Sequence, residues 1–276
     1  MQPRRRHLAA LVALAAFLAL RPAPARAFHD EREHVVDYTA HTMAAGDLRV
    51  GVWDVGWAPW GWLTLDTYTW PWLKKIANAS AKFRIWGDDA WTLGAKLGFL
   101  TVNLHDLSSE ADPVRFHVIP VEVAVSRRFG PEWELSVAGV YTPIVQKGTY
   151  DASAFHGAAG YTNTQLTLAL EWRLNERWAL FVRSRHLVKL QVSGKVVTTV
   201  TVDPYTSIET QASGASGDLA GMGFPQTFQV VPGFAWSRAV FNLEVGLGYG
   251  HVHVPGVNVF VPVRWLAPQL DVYWRW

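Results

Sequence analysis

The chain has 276 residues, of which 17% are charged and 13% aromatic, and it contains no cysteine. The lack of cysteine excludes disulfides, thiolate zinc sites, a cysteine nucleophile and the lipidated cysteine of a lipoprotein. Without the five arginines of residues 1–27, the chain carries 20 basic and 23 acidic residues, which argues against a nucleic-acid partner.

The first 27 residues predict a cleaved secretory signal peptide. Arg4–Arg6 form a positive start, Leu8–Leu20 form an apolar run, and Ala25-Arg26-Ala27 form a small-x-small cleavage site. The alternative is a membrane anchor, but thirteen helical residues rise only about 20 Å, short of the roughly 30 Å hydrocarbon core. We therefore expect a signal peptide at 1–27 and a mature domain at 28–276.

Strict alternation of apolar and polar residues dominates the mature domain, as in Ala79–Ile85, Gln165–Trp172 and Phe241–Tyr249. Such alternation predicts strands with one apolar and one polar face. The expected fold is all-β, a single closed antiparallel transmembrane barrel of about twelve strands. The strands are predicted at 34–43, 47–56, 60–69, 78–87, 90–104, 114–128, 132–146, 161–174, 178–200, 224–237, 240–253 and 258–276.

Every second connection between these strands is predicted to be tight. The tight connections are Trp57-Ala58-Pro59, Asp88-Asp89, Gly130-Pro131, Asn175-Glu176-Arg177 and Arg238-Ala239, whereas 147–160 and 201–223 are long. Short turns at one end and long loops at the other are typical of outer-membrane barrels. Eleven of the 15 tryptophans fall near the tight turns or the C-terminus, as expected for an aromatic band at a membrane–water boundary.

The last strand places Leu270, Val272, Trp274 and Trp276 on one face. This pattern resembles the C-terminal assembly signal of bacterial outer-membrane β-barrel proteins, although Asp271 stands where that signal often has glycine. The segment from His41 to Arg84 also resembles the opening of uncharacterised barrels of this class. The resemblance implies a Gram-negative outer-membrane location, with the barrel-assembly machinery and outer-membrane lipids as partners.

Outward apolar faces would leave polar residues to line the lumen. The predicted lumen-lining residues are Lys82, Arg84, Lys96, Glu122, Glu134, Glu171, Arg173, Arg183, Arg185, Lys189 and Glu244, with Asp271. A partly basic wall would favour passage of small anionic solutes, which predicts a passive, porin-like channel. In the alternative, these charges pair across the interior and give a plugged or structural barrel, since twelve strands lie between filled and open barrels.

Other classes of function have weaker support. Ser184 and His186 share a face, as in an outer-membrane lipid-modifying enzyme, but no third catalytic group can be named. His251 and His253 are too few to hold a metal ion, so neither a metal nor a cofactor is expected. A soluble periplasmic β-barrel would bury the leucines of strand 161–174 instead of exposing them to lipid. We expect a non-enzymatic barrel, monomeric or loosely oligomeric.

Overall fold

A computed structural model describes residues 38–74, 76–103, 115–150, 155–203, 206–213, 226–256 and 258–276. The predicted signal peptide lies outside these residues. The described strands are β1 (Leu48–Gly51), β2 (Asp54–Trp60), β3 (Leu63–Tyr68), β4 (Ala77–Gly87), β5 (Trp91–Asn103), β6 (Arg115–Val118), β7 (Val121–Phe129), β8 (Trp133–Tyr150), β9 (Phe155–Arg173), β10 (Trp178–Asp203), β11 (Thr206–Ser213), β12 (Phe228–Arg238), β13 (Phe241–Val254) and β14 (Val259–Arg275). A 3₁₀ helix, η1 (Trp70–Lys74), follows β3.

The strands pair antiparallel around a closed ring, and β14 returns to pair with β1. Strands β6 and β7 share one position in the wall, because both pair with β5 and β8. Strands β11 and β12 likewise share the position beside β10. The wall therefore has twelve positions, which confirms the predicted fold class. No helix among the described residues combines the length and apolar character needed to cross a membrane.

The two faces of the wall differ in polarity as the alternation predicts. On β9, Gln165 and Thr167 point inward and are buried, whereas Leu166, Leu168 and Leu170 lie on the outward face and are half-buried or exposed. The same arrangement, with polar residues inside and apolar residues outside, recurs on β13. A soluble lipid-binding barrel would have its apolar face inside, so the observed arrangement is that of a membrane barrel.

Short turns connect the strands at one end of the barrel, here called the turn end, and the opposite end is called the loop end. The turns at 88–90, 130–132, 174–177 and 239–240 match four of the five predictions. The fifth, Trp57-Ala58-Pro59, is wrong because these residues belong to β2, and the turn lies at 61–62. Exposed indoles form a band at the turn end, among them Trp60, Trp62, Trp86, Trp91, Trp133, Trp178 and Trp274.

The first strands differ from the prediction. The described part of the predicted strand 34–43 contains no strand, and the predicted strand 47–56 is divided between β1 and β2 by a bend at 52–53. The lost strand and the divided strand compensate, so the total remains twelve. The predicted loop 201–223 is partly strand, because residues 206–213 pair with the distal part of β10.

The wall is uneven in height. Strands β1, β2 and β3 have 4, 7 and 6 residues, whereas β8, β9 and β10 have 18, 19 and 26. A strand needs about 9–11 residues to cross a bilayer. The three strands next to the closing seam are therefore too short to span a membrane by themselves.

Candidate functional site: the barrel lumen

A non-strand stretch, residues 38–46, runs inside the turn-end half of the barrel and is called the inner segment. The backbone N–H of Ala40 donates to Ser126 Oγ at 2.8 Å, and Ala40 packs against the buried side chains of Ala124 and Ala138. A Cβ atom added at Gly94 would lie 2.4 Å from the carbonyl oxygen of Ala40, so this wall position has room only for glycine. Small wall residues thus admit a second layer of backbone.

Side chains of the wall hold the inner segment at several points. The Nε2 atom of His41 lies 2.9 Å from Glu134 Oε1, and the Met43 N–H donates to Thr64 Oγ1 at 2.9 Å. Thr42 Oγ1 in turn donates to the Gly61 carbonyl at 2.7 Å. Burial lowers the pKa of His41, and this effect exceeds the opposing effect of Glu134. His41 is therefore neutral at pH 7, and the inner segment fills the turn end of the lumen.

A cavity of about 450 Å³, called the lumen cavity, lies in the loop-end half. Tyr38 lines it, and the turn between β13 and β14 lies across it. The carbonyl oxygen of Asn258 in that turn accepts hydrogen bonds from Asn163 Nδ2 at 2.7 Å and Gln165 Nε2 at 2.6 Å, both on β9. Since β10 and β12 separate β9 from β13 in the wall, these bonds place the turn across part of the lumen.

The charges that line the lumen cavity form ion pairs between strands. Lys96 Nζ lies 3.0 Å from Asp66 Oδ2, and Arg183 Nη1 lies 2.6 Å from Glu244 Oε2. On β1, Arg49 pairs with Asp54 at 3.0 Å and with Asp271 at 2.8 Å. Pairs of this kind reduce the basic character that the sequence predicts for the wall.

The predicted lumen residues divide into four groups. Six line the lumen cavity: Lys82, Lys96, Glu122, Arg183, Arg185 and Glu244, together with Asp271. Glu134, Glu171 and Arg173 are buried lower down, beside the inner segment, where Arg173 Nε donates to Glu171 Oε1 at 3.0 Å. Arg84 shares the face of Lys82 but is exposed.

Lys189, a predicted lumen residue, lies on the outward face of β10. A bulge between Leu187 and Lys189 shifts the register, so that Lys189 pairs with Thr164 and not with the inward-facing Gln165. Cross-strand partners share a face, and Thr164 faces outward. The prediction that Lys189 lines the lumen is therefore wrong, because alternation cannot be extrapolated across a bulge.

The lumen cavity also has lining residues outside the predicted set, notably Tyr38, Arg49, Asp66 and Tyr68. Polar residues at alternate positions of β3 are the signal that points to Asp66 and Tyr68, whereas Tyr38 and Arg49 lie in segments without a period. Of the two histidines that the sequence analysis considers for metal binding, His253 lies on the lumen side. Arg185 Nη1 lies 2.6 Å from Nδ1 of the buried His253, and no group of three metal-ligating side chains occurs among the described residues.

Among the residues that the structure describes, the wall around the lumen cavity is open beside β14; this opening is called the wall gap. Strand β14 pairs with β1 only at residues 273–275, followed by a bond from Val52 N–H to the Val272 carbonyl at 3.0 Å. Beyond that point, no described strand pairs with this edge of β14, and Trp53 Nε1 donates to the Leu270 carbonyl at 2.5 Å. Residues of both faces of β14, Gln269 and Leu270 among them, line the lumen cavity. The cavity therefore extends around this free edge.

Comparisons with known proteins give distant structural matches. The toluene transporter TodX of Pseudomonas putida is 9% identical with a TM-score of 0.32, and the match covers 83% of this chain and 77% of that chain. CdiB from Acinetobacter baumannii is 10% identical with a TM-score of 0.31, and the match covers 83% of this chain and 59% of CdiB. No protein-family model and no curated protein matches the chain.

Proposed function

We propose that this chain is an outer-membrane barrel that lets small solutes pass passively, and that the inner segment is the element that closes its lumen. The outward apolar face and the indole band at the turn end support a membrane location, and the sequence of residues 1–27 supports export. The barrel-assembly machinery is the proposed partner in biogenesis, through Leu270, Val272, Trp274 and Trp276. Of these four residues, Leu270 and Trp274 are exposed, on the outward face.

The observation that carries this proposal is the way in which the inner segment is held. It contains no strand, and the wall holds it through side-chain hydrogen bonds at Ser126, Thr64 and Glu134 and through packing of Ala40 and Met43. A typical intramolecular hydrogen bond contributes a net of only about 0.5–1.5 kcal/mol. Such a segment can leave the lumen while the strand pairs of the wall stay intact.

A reversible cross-link tests this role of the inner segment. Ala40 and Ala138 pack together, and the chain has no native cysteine, so the double variant Ala40→Cys/Ala138→Cys offers a single disulfide. In a planar bilayer we expect conductance steps from the reduced protein and their loss after oxidation, with recovery on addition of reductant.

The matched controls are the single variants Ala40→Cys and Ala138→Cys, which should conduct equally before and after oxidation. Disulfide formation is checked by the mass of a fragment after proteolysis. Conductance that persists unchanged in the fully oxidised double variant would show that the inner segment does not close the path.

A plugged barrel without transport is the second candidate, and the ion pairs around the lumen cavity are the observation that favours it. Deletion of residues 38–46 separates the two. A folded deletion variant that gives no conductance would favour the plugged barrel, and one that conducts would favour the channel. Catalysis by Ser184 and His186 is not proposed, because the imidazole of His186 stacks on Phe228 at a centroid distance of 6.1 Å on the outward face.

A further inference from the structure

We infer that the lumen cavity binds amphipathic carboxylic acids, with the carboxylate at Arg185 and the apolar part directed to the wall gap. This inference rests on the proposed function, since it names the class of solute that the lumen receives. Three features of the cavity support it: a cation without an acidic partner, an apolar lining, and an opening at the level of the membrane-facing wall.

Arg185 differs from the other arginines that line the cavity. Arg183 pairs with Glu244 and Arg49 pairs with two aspartates, but no carboxylate among the described residues lies within 4.0 Å of Arg185. Its guanidinium instead contacts the His253 ring and lies 5.2 Å from the centroid of the Tyr38 ring.

A cation in such a site favours the binding of an anionic group. Its neighbours are an imidazole ring and an aromatic face, and neither supplies the negative charge of a carboxylate. In a low-dielectric cavity, an uncompensated cation attracts an anionic group much more strongly than it would in water. Because a guanidinium offers paired N–H donors, a carboxylate matches it in shape as well as in charge.

The remainder of the lining suits an apolar group. Phe181, Leu100, Val252 and Trp53 line the same cavity as Arg185. Its volume of about 450 Å³ falls within the roughly 300–1,000 Å³ that is typical of small-molecule sites. A ligand that is entirely polar would leave these side chains in poor contact, whereas an acid with an alkyl or aromatic body would cover them.

The wall gap supplies a route that fits such a ligand. The cavity is lined by both faces of β14, and the neighbouring strands β1–β3 are too short to close the wall at that level. An amphipathic acid partitions into a bilayer with its apolar part among the acyl chains. It can therefore reach the cavity from the side, without first crossing the turn between β13 and β14.

The test uses the full mature barrel in lipid nanodiscs, with decanoate and decanol as probes and empty nanodiscs as the reference for partitioning. Calorimetric titration should show saturable binding of decanoate to the wild-type protein, tighter than that of decanol. The variant Arg185→Gln should weaken decanoate binding about 10- to 100-fold and leave decanol binding unchanged, because it removes one charge-assisted pair.

The control is Arg177→Gln, a change in the exposed turn between β9 and β10, which should leave both affinities at the wild-type values. Equal affinities of the wild-type protein for decanoate and decanol would overturn the inference even if Arg185→Gln failed to fold. An unchanged decanoate affinity in the folded Arg185→Gln protein would also overturn it.

The outcome is independent of the cross-linking test of the proposed function. Redox-controlled conductance without decanoate binding would reject the solute class and retain the channel. If decanoate binds but conductance is the same before and after disulfide formation, the closing role of the inner segment is rejected and the binding site is retained.

Discussion

The two halves of the lumen are built from the same twelve-position wall, but the turn end is filled and the loop end contains a cavity. At the turn end, small inward residues such as Gly94, Ala124 and Ala138 make room for the inner segment, which packs directly against them. At the loop end, the inward residues are long and charged, such as Lys96 and Arg183, and a cavity remains between them.

The difference shows what decides whether a barrel of intermediate size is open or filled. Small barrels are filled by their own side chains, and large ones leave an aqueous channel. With twelve positions, side chains alone do not fill the lumen. The inner segment, a second layer of backbone, therefore determines which part of the lumen is filled. Inward residue size therefore marks where that layer lies.

A side chain larger than the turn end can accommodate should have the most pronounced effect. In Gly94→Val, new carbon atoms would collide with the Ala40 carbonyl, since even a Cβ would lie 2.4 Å away. Overpacking of this kind costs about 1–3 kcal/mol. We expect a rise in single-channel open probability of about 5- to 150-fold, measured in planar bilayers.

Gly139→Val is the matched control, because a Cβ at Gly139 would meet nothing within 4 Å. It should conduct as the wild-type protein does. If both variants conducted alike, the inner segment would not depend on the close approach at Gly94.

A pair of alanine-to-leucine changes compares the two halves directly. Ala138 is 1% exposed and packs on the inner segment, whereas Ala267 borders the lumen cavity. Ala138→Leu should lower the free energy of unfolding in urea by about 1–3 kcal/mol through overpacking. Ala267→Leu should change it by less than about 0.5 kcal/mol, because the cavity has room. Equal losses in the two variants would contradict the distinction between a filled and an unfilled half.

The smallest expected effect is a dependence on pH through His41. Its pKa in the docked inner segment is lowered from 6.5, with Glu134 opposing the effect and Lys82 and Arg128 adding to it. Docking is thus fully favoured above pH 6.5 and weakens as the pH falls below that value, where a released His41 would bind a proton. We expect open probability to rise a few-fold between pH 7 and pH 5. His41→Gln should remove that part of the response, and an identical pH profile in the variant would exclude His41 as its source.

The sequence predicts the wall well because the wall depends on short-range pattern. Alternation in Gln165–Trp172 and turn residues such as Gly130-Pro131 are local features, and both fall where the structure has them. The first strands were placed wrongly since a strand of four residues, such as Leu48–Gly51, is too short to show a period. Lys189 was misplaced because a bulge reverses the alternation without a distinctive residue.

The filling of the lumen depends on contacts that are remote in sequence. Ala40 meets Ser126 86 residues away, and His41 meets Glu134 93 residues away. Neither spacing leaves a periodic signal, which is why the sequence predicts a strand at 34–43, where the first part of the inner segment lies. Charge pairs such as Arg183 with Glu244 were foreseen only as an alternative, because the wall register that unites them is set by the closed ring.

The seam between β1 and β14 has a consequence for the order of folding. Its ladder contains three residue pairs, and two arginines reinforce it in opposite directions: Arg49 reaches Asp271, and Arg275 reaches Asp47. These partners are 222 and 228 residues apart, so almost the whole chain must be in place before they can meet. Contacts of such high sequence separation form slowly. Ring closure, the pairing of β1 with β14, should therefore be the last event in assembly.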